Sequence, residues 1–199
     1  TIILSNNQKI IKLVINNYPE GQSEVMEGEN NPEMEGGDGF RQIPFSSELW
    51  IERDDFMEEP SKKYFRLGPG LMVRLKHAYI VRCDSFVKDE NGNVSEVHCT
   101  YIPESRSGTD TSGIHVKGTI HWVCAKAAQT AEIRLYDRLF RVEDPSNEEG
   151  DFKDYINPDS LTVISNAFIE PDLMNAEAGR GYQFIRKGYF SLDSDSTPG

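Results

Sequence analysis

Three cysteines, Cys83, Cys99 and Cys124, are an odd set without a CxxC spacing, so the 199-residue chain has no disulfide framework. They read as free thiols in a reducing compartment, which predicts a cytoplasmic address. Long apolar runs are missing too. No stretch approaches the roughly 18 residues that a membrane span requires, so no membrane partner is expected. Thr1 to Asn7 lacks a basic segment followed by an apolar one and a cleavage site, which gives no sign of secretion. Positive charge is scarce: 21 Lys and Arg stand against 33 Asp and Glu, a net charge of −12. A field of that sign repels polyanions, and DNA is not expected as a partner.

Catalytic signatures are absent as well. There is no GxSxG, no papain-like cysteine context and no GxxxxGK[ST] phosphate loop. His98-Cys99 and the His121/Cys124 pair sit at strand offsets of one and three, which put the partners on opposite faces. With His77 and His115 alone elsewhere, no metal is expected. Asp54-Asp55 and Glu58-Glu59 suit the start of a helix better than acid–base chemistry. Gly179-Arg180-Gly181 reads as a helix C-cap.

What is present is a series of short apolar runs broken by turn residues: Lys9 to Ile15, Gln42 to Ile51, Met72 to Val87, Val94 to Ile102, Ile114 to Val123, Ala131 to Val142, Leu161 to Ile169 and Tyr182 to Leu192. This pattern predicts an all-β protein of barrel or sandwich type. Asn91-Gly92 predicts a type I′ turn joining two strands of matching length. Gly68-Pro69-Gly70 predicts a second turn, bringing Tyr64 to Leu67 near Met72 to Lys76. Short helices are expected from Asp54 through Glu59 and from Pro171 to Ala178. Glu24 to Gly39, Glu104 to Gly113 and Glu143 to Asp154 read as loops.

Against the acidic background, residues 62–83 (KKYFRLGPGLMVRLKHAYIVRC) carry six Lys or Arg and no acid. Cations interleaved with Tyr64, Phe65 and Tyr79 suit single-stranded RNA, the cations meeting phosphates and base edges while the rings stack on splayed bases. An exposed sheet face bearing solvated bases has the same composition. Residue type alone does not separate the two.

The segments RQIPFSSELWIERDDFMEE, KKYFRLGPGLMVRLKHAY, VKGTIHWVCAKAA, AEIRLYDRLF, INPDSL and FIRKGYFSLDSD resemble, in order and over about Lys12 to Asp195, the C-terminal anticodon-binding region of the glutaminyl-tRNA synthetases. That resemblance implies two antiparallel β-barrels with short helices. A proximal barrel would comprise 1–25 and 115–199, with a last strand expected beyond Gly199, and a distal barrel 26–114. It also implies a monomeric tRNA-binding region of a glutamine-specific ligase whose ATP and Mg are handled by a catalytic domain with HIGH-like and KMSKS-like motifs. Neither motif occurs in this sequence, so no cofactor and no independent aminoacylation are expected of it. Arg66 and Arg74 match family positions that contact anticodon nucleotides, and Asn30 and Gln183 match polar contact positions. Lys63, Phe65 and Lys76 stand where the family pattern has Gln, Lys and Arg. Phe65 is expected to stack instead. No counterpart is found near Ile3 for the arginine expected to read the middle anticodon base. The archaeal and eukaryotic glutamyl enzymes share these barrels and are the alternative, IHWV favouring the glutaminyl branch. A stand-alone barrel like the ribosomal protein that binds 5S RNA needs neither INPDSL nor GYFSLDS.

Overall fold

The computed structural model describes residues 2–3, 10–31, 39–184 and 186–196. Lys9, read in sequence as a strand start, and residues 32–38, part of the segment read as a loop from Glu24 to Gly39, lie outside the described residues. Strands dominate: β1 (Ile2–Ile3), β2 (Ile10–Ile15), β3 (Ser23–Glu29), β4 (Phe40–Ser46), β5 (Glu48–Glu52), β6 (Met72–Leu75), β7 (Ile80–Lys88), β8 (Val94–Ile102), β9 (Thr119–Ile120), β10 (Val123–Cys124), β11 (Gln129–Tyr136), β12 (Leu161–Ile169), β13 (Gly181–Phe184) and β14 (Gly188–Ser191). No helix among the described residues is long and apolar enough to cross a membrane.

A seven-stranded sheet in the order β10-β5-β2-β8-β7-β6-β9 forms the larger unit, flanked by the β3–β4 ribbon. Alternation explains its core, since Ile11, Leu13 and Ile15 of β2 point inward while Lys12 and Val14 lie toward the other face. Phe45, fully buried, sits among the rings of Tyr18, Tyr79 and Trp122 at 5.3, 5.5 and 5.2 Å between centroids. Each such contact adds to area burial when the rings meet tilted or edge-on. Within the second unit, β1-β12-β11 form one sheet and β13–β14 a hairpin. Its smaller core is Ile164, Ala167, Ile169 and Phe184.

The chain is mostly β, as expected, and the hydrogen-bond order of the described strands leaves the large sheet open between β10 and β9. Ile10–Ile15, grouped with the proximal unit on sequence grounds, hydrogen-bonds between β5 and β8 inside this sheet. Several local expectations change. The run from Gln42 is two strands separated at Ser47, and the acidic segment after Ser23 is strand β3 before it becomes loop. The expected helices are single 3-10 turns, Arg53–Asp55 and Pro171–Asn175. In the β7–β8 hairpin only Gly92 has a positive φ, +81°, so the turn is not type I′. The Asp89 carboxylate accepts the amides of Asn91 and Asn93 at 2.9 Å each and fixes a longer loop instead.

The two units meet along a seam that carries both apolar and ionic contacts. The Trp50 and Phe168 rings stack at 5.2 Å and 2°. Beside them Arg41 Nε donates to Glu170 at 2.6 Å, across 129 residues. The same seam positions the site.

Candidate nucleic-acid interface

The basic stretch begins in a turn, not a strand. Lys62 and Lys63 occupy it exposed, and Leu67 closes it by donating its amide to the Asp55 carbonyl and accepting the Met57 amide, both at 3.0 Å. Phe65 is half exposed, with the Lys117 ammonium 5.0 Å from its ring centroid, a cation–π distance. Its carbonyl presses on Gly118, where an added Cβ would lie 1.6 Å from that oxygen. Gly118 in turn accepts the Arg74 amide at 2.9 Å, so one glycine joins the Phe65 turn to β6.

Arg66 is held by one edge. Its Nη1 donates to the Asp54 carbonyl at 3.1 Å and lies 3.4 Å from Asp55 Oδ1, while the side chain stays 40% exposed. The remaining edge of the guanidinium has no partner among the described residues and faces water. Fixing one side of a planar fork in this way lowers the entropy lost when the other side meets an acceptor.

Asp55 is fully buried and serves a second arginine. Arg186, in the turn of the β13–β14 hairpin, donates Nη1 and Nη2 to its two oxygens at 2.7 and 2.9 Å. The adjacent Lys187 pairs with Glu52 at 2.8 Å. Those hydrogen bonds push Arg186 above the ordinary arginine pKa. Tyr64 is raised to about 12 by burial first and then by the Asp55 charge. One carboxylate thus brings Arg66 close to the hairpin that carries Gln183. Gln183 itself lies exposed on β13.

Lys76 reaches the same region from the turn after β6. Burial, then the charge of Arg41, lowers its pKa, and Trp122 Nε1 donates to its carbonyl at 2.9 Å. His121 is depressed to about 3 by burial first, then by the charges of Arg186 and Lys76. Asn30, exposed just beyond β3, donates its amide to Gly39 at 3.1 Å, near Arg41, which bonds the Glu29 carbonyl at 2.9 Å.

Arg74 is placed differently. Its Nη1 donates to the carbonyls of Ser105 at 2.7 Å and Ala78 at 3.3 Å and to Ser107 Oγ at 3.3 Å, and its Nη2 pairs with Asp110 at 2.5 Å. The guanidinium braces the Pro103–Asp110 segment. It also lines a cleft of about 300 Å³ with Asp110, Gly113, Ile114, His115 and Val116.

Lys63, Phe65, Arg66, Lys76 and Gln183 therefore lie on elements gathered around the seam, with Asn30 beside Arg41 and Arg74 turned toward its own cleft. Residue-by-residue reading missed Asp55, Gly118, His121 and Arg186. Asp55 looked like a helix-start acid, and only Arg186, three places after Gln183, offered a visible signal. Among the described residues no group of three His, Cys, Asp or Glu could hold a metal ion.

Residues 6–102 and 119–193 each match a family described as tRNA synthetases class I (E and Q), anti-codon binding domain. The chain belongs to this family. It is 55% identical over 191 residues to a glutamine–tRNA ligase of Rhodopirellula baltica, covering 95% of this chain and 31% of that protein. A glutamine–tRNA ligase of Clostridium perfringens is 54% identical over 187 residues, 94% of this chain and 34% of the relative. One from Bordetella avium is 51% identical over 190 residues, 94% and 32%. The chain spans about a third of the length of these relatives.

Proposed function

We propose that this anticodon-binding chain acts as the tRNA-recognition part of a glutamine–tRNA ligase, gripping the anticodon loop of glutamine tRNAs while the rest of such a polypeptide attaches glutamine with ATP and Mg. In this reading the chain binds no nucleotide cofactor, works as a monomer in the cytoplasm and does not aminoacylate by itself. Its two units correspond to a distal barrel built on the seven-stranded sheet and a proximal one built on β1, β11–β12 and the β13–β14 hairpin.

One observation carries the proposal: Asp55 holds Arg66 and the Gln183-bearing hairpin together, although Gln183 and Arg66 are far apart in sequence. Arg66 offers a half-free fork to a phosphate or base edge, Lys63 and Lys76 offer point charges, and Phe65 offers an exposed ring. Gln183 presents a donor and an acceptor side by side, the pattern that a uracil edge pairs with. Arg74, with its fork committed to Ser105 and Asp110, shapes the cleft as well as charging it.

The test is titration of an anticodon stem-loop by fluorescence anisotropy at about 50 and about 200 mM salt. Affinity that falls with salt and prefers the glutamine anticodon supports the proposal. Salt-independent binding, or equal binding of a loop with its middle base changed, overturns it. Charging of tRNA by the full polypeptide with glutamine and with glutamate then separates the glutaminyl from the glutamyl reading.

A further inference from the structure

The β13–β14 hairpin has two faces with different chemistry. Register pairs Tyr182 with Phe190, Gln183 with Tyr189 and Phe184 with Gly188. Tyr182, Phe184 and Phe190 turn inward, where the Phe184 and Phe190 rings meet at 5.1 Å and pack on the small core. Alternation leaves Gln183 and Tyr189 together on the outer face. Tyr189 is 81% exposed, more than any other large apolar or aromatic side chain described.

A ring so exposed contributes little to the fold. The hairpin beneath it is nevertheless fixed. Its inner face is packed, and its turn is pinned by Arg186 to Asp55 and by Lys187 to Glu52. Asp55 also holds Arg66, which has one edge of its guanidinium open. A rigid aromatic face beside a two-way hydrogen-bonding amide, next to a cation, is a complete set of contacts for one unstacked nucleotide.

We infer that Tyr189 is the stacking platform for the base whose edge Gln183 reads, an inference that rests on the tRNA reading above. The occupant is a single-stranded RNA base, with the flanking phosphate within the field of Arg66. Directly opposed residues stand about 5 Å apart between Cβ atoms, so an amide flanking the ring faces the edge of a base lying on it.

The test compares wild type, Tyr189→Ala and Tyr189→Phe on two stem-loops: the glutamine anticodon loop and the same loop with an abasic middle position. Tyr189→Ala is expected to weaken cognate binding about 5- to 150-fold, the range for loss of one base–aromatic stack, and to cost nothing further on the abasic loop. Tyr189→Phe keeps the ring and is expected to bind within about twofold of wild type. Unchanged cognate binding by Tyr189→Ala, or an equal loss on both loops, overturns the inference alone. A wild-type chain that fails to bind the cognate loop overturns the tRNA reading and this inference with it.

Discussion

Asp55 and Arg186, 131 residues apart, are joined by two charge-assisted hydrogen bonds of 2.7 and 2.9 Å. The carboxylate is fully buried, so its desolvation is offset only if both oxygens are engaged, and the fork of Arg186 engages both. Arg66 adds a third contact at the rim. The pair is therefore a hinge pin between the two units and, at the same time, the support on which two recognition elements rest.

Removal of that pin has a calculable effect. Asp55→Ala leaves Arg186 only its longer contact to Glu52 and Arg66 only its bond to the Asp54 carbonyl. The expected loss of stability is about 3 kcal/mol, the lower end for breaking a buried pair because Arg186 retains some water contact. Urea denaturation measures it, and a midpoint within error of wild type would show that the pair contributes nothing.

Gly118 is the tightest backbone approach in the site. A Cβ there would stand 1.6 Å from the Phe65 carbonyl oxygen, and backbone cannot swing aside as a side-chain tip can. Gly118→Ala is expected to cost about 1–3 kcal/mol and to displace the Phe65–Arg66 turn. Faster exchange of the Leu67 and Met57 amides, whose hydrogen bonds close that turn, is the direct reading. Protection equal to wild type would contradict it.

Much of this was legible in the sequence, for identifiable reasons. Period-two alternation exposes β2 directly, because it has one buried face, whereas β7, β8 and β12 were legible as apolar runs whose alternation slips where the register shifts. Turn chemistry is only partly legible: Asn91-Gly92 favours type I′, but the Asp89 side chain captures two amides and lengthens the loop. The acidic Ser23–Glu29 segment hid a strand because a two-stranded ribbon exposes alternate residues, and charge on that face looks like loop composition. Among site residues, Arg66 and Gln183 were visible through family likeness. Their meeting at Asp55 was not, since a long-range ion pair leaves no periodic trace in the chain.

The seam is expected to weaken in mild acid. Burial first, then the charges of Arg186 and Lys76, lowers His121 to about 3 from an ordinary 6.5. His77 falls to about 4 from 6.5 through burial, then Lys76 and Arg41. Glu170 opposes both shifts without reversing them. A depressed histidine takes its proton more readily in the unfolded chain, so stability is full above the unfolded value and falls as pH drops below it toward the folded values. The urea midpoint is expected to be lower at about pH 5 than at about pH 7.5, and His121→Gln to shrink the difference. A midpoint equal at both pH values would remove the histidines from the account.

Arg74 and Gln183 separate bracing from reading. Arg74→Ala takes a donor from the carbonyls of Ser105 and Ala78 and leaves Asp110 without its cation. Its carboxyl is held below the usual range mainly by Ser112, then by Arg74, so it remains charged in the variant. The fold is expected to lose about 1–3 kcal/mol, with cognate and altered loops both bound more weakly and the salt dependence flattened. Gln183, exposed on a hairpin whose other face is packed, contributes little to stability, and Gln183→Ala is expected to melt as wild type does. Its effect belongs to binding alone: about 1–3 kcal/mol for the cognate loop and almost nothing for a loop whose middle base is changed. Thermal melts and anisotropy on the two variants with the two loops give the full comparison. Equal weakening of both loops by Gln183→Ala, or an unaltered melt of Arg74→Ala, would reverse the roles assigned to that residue.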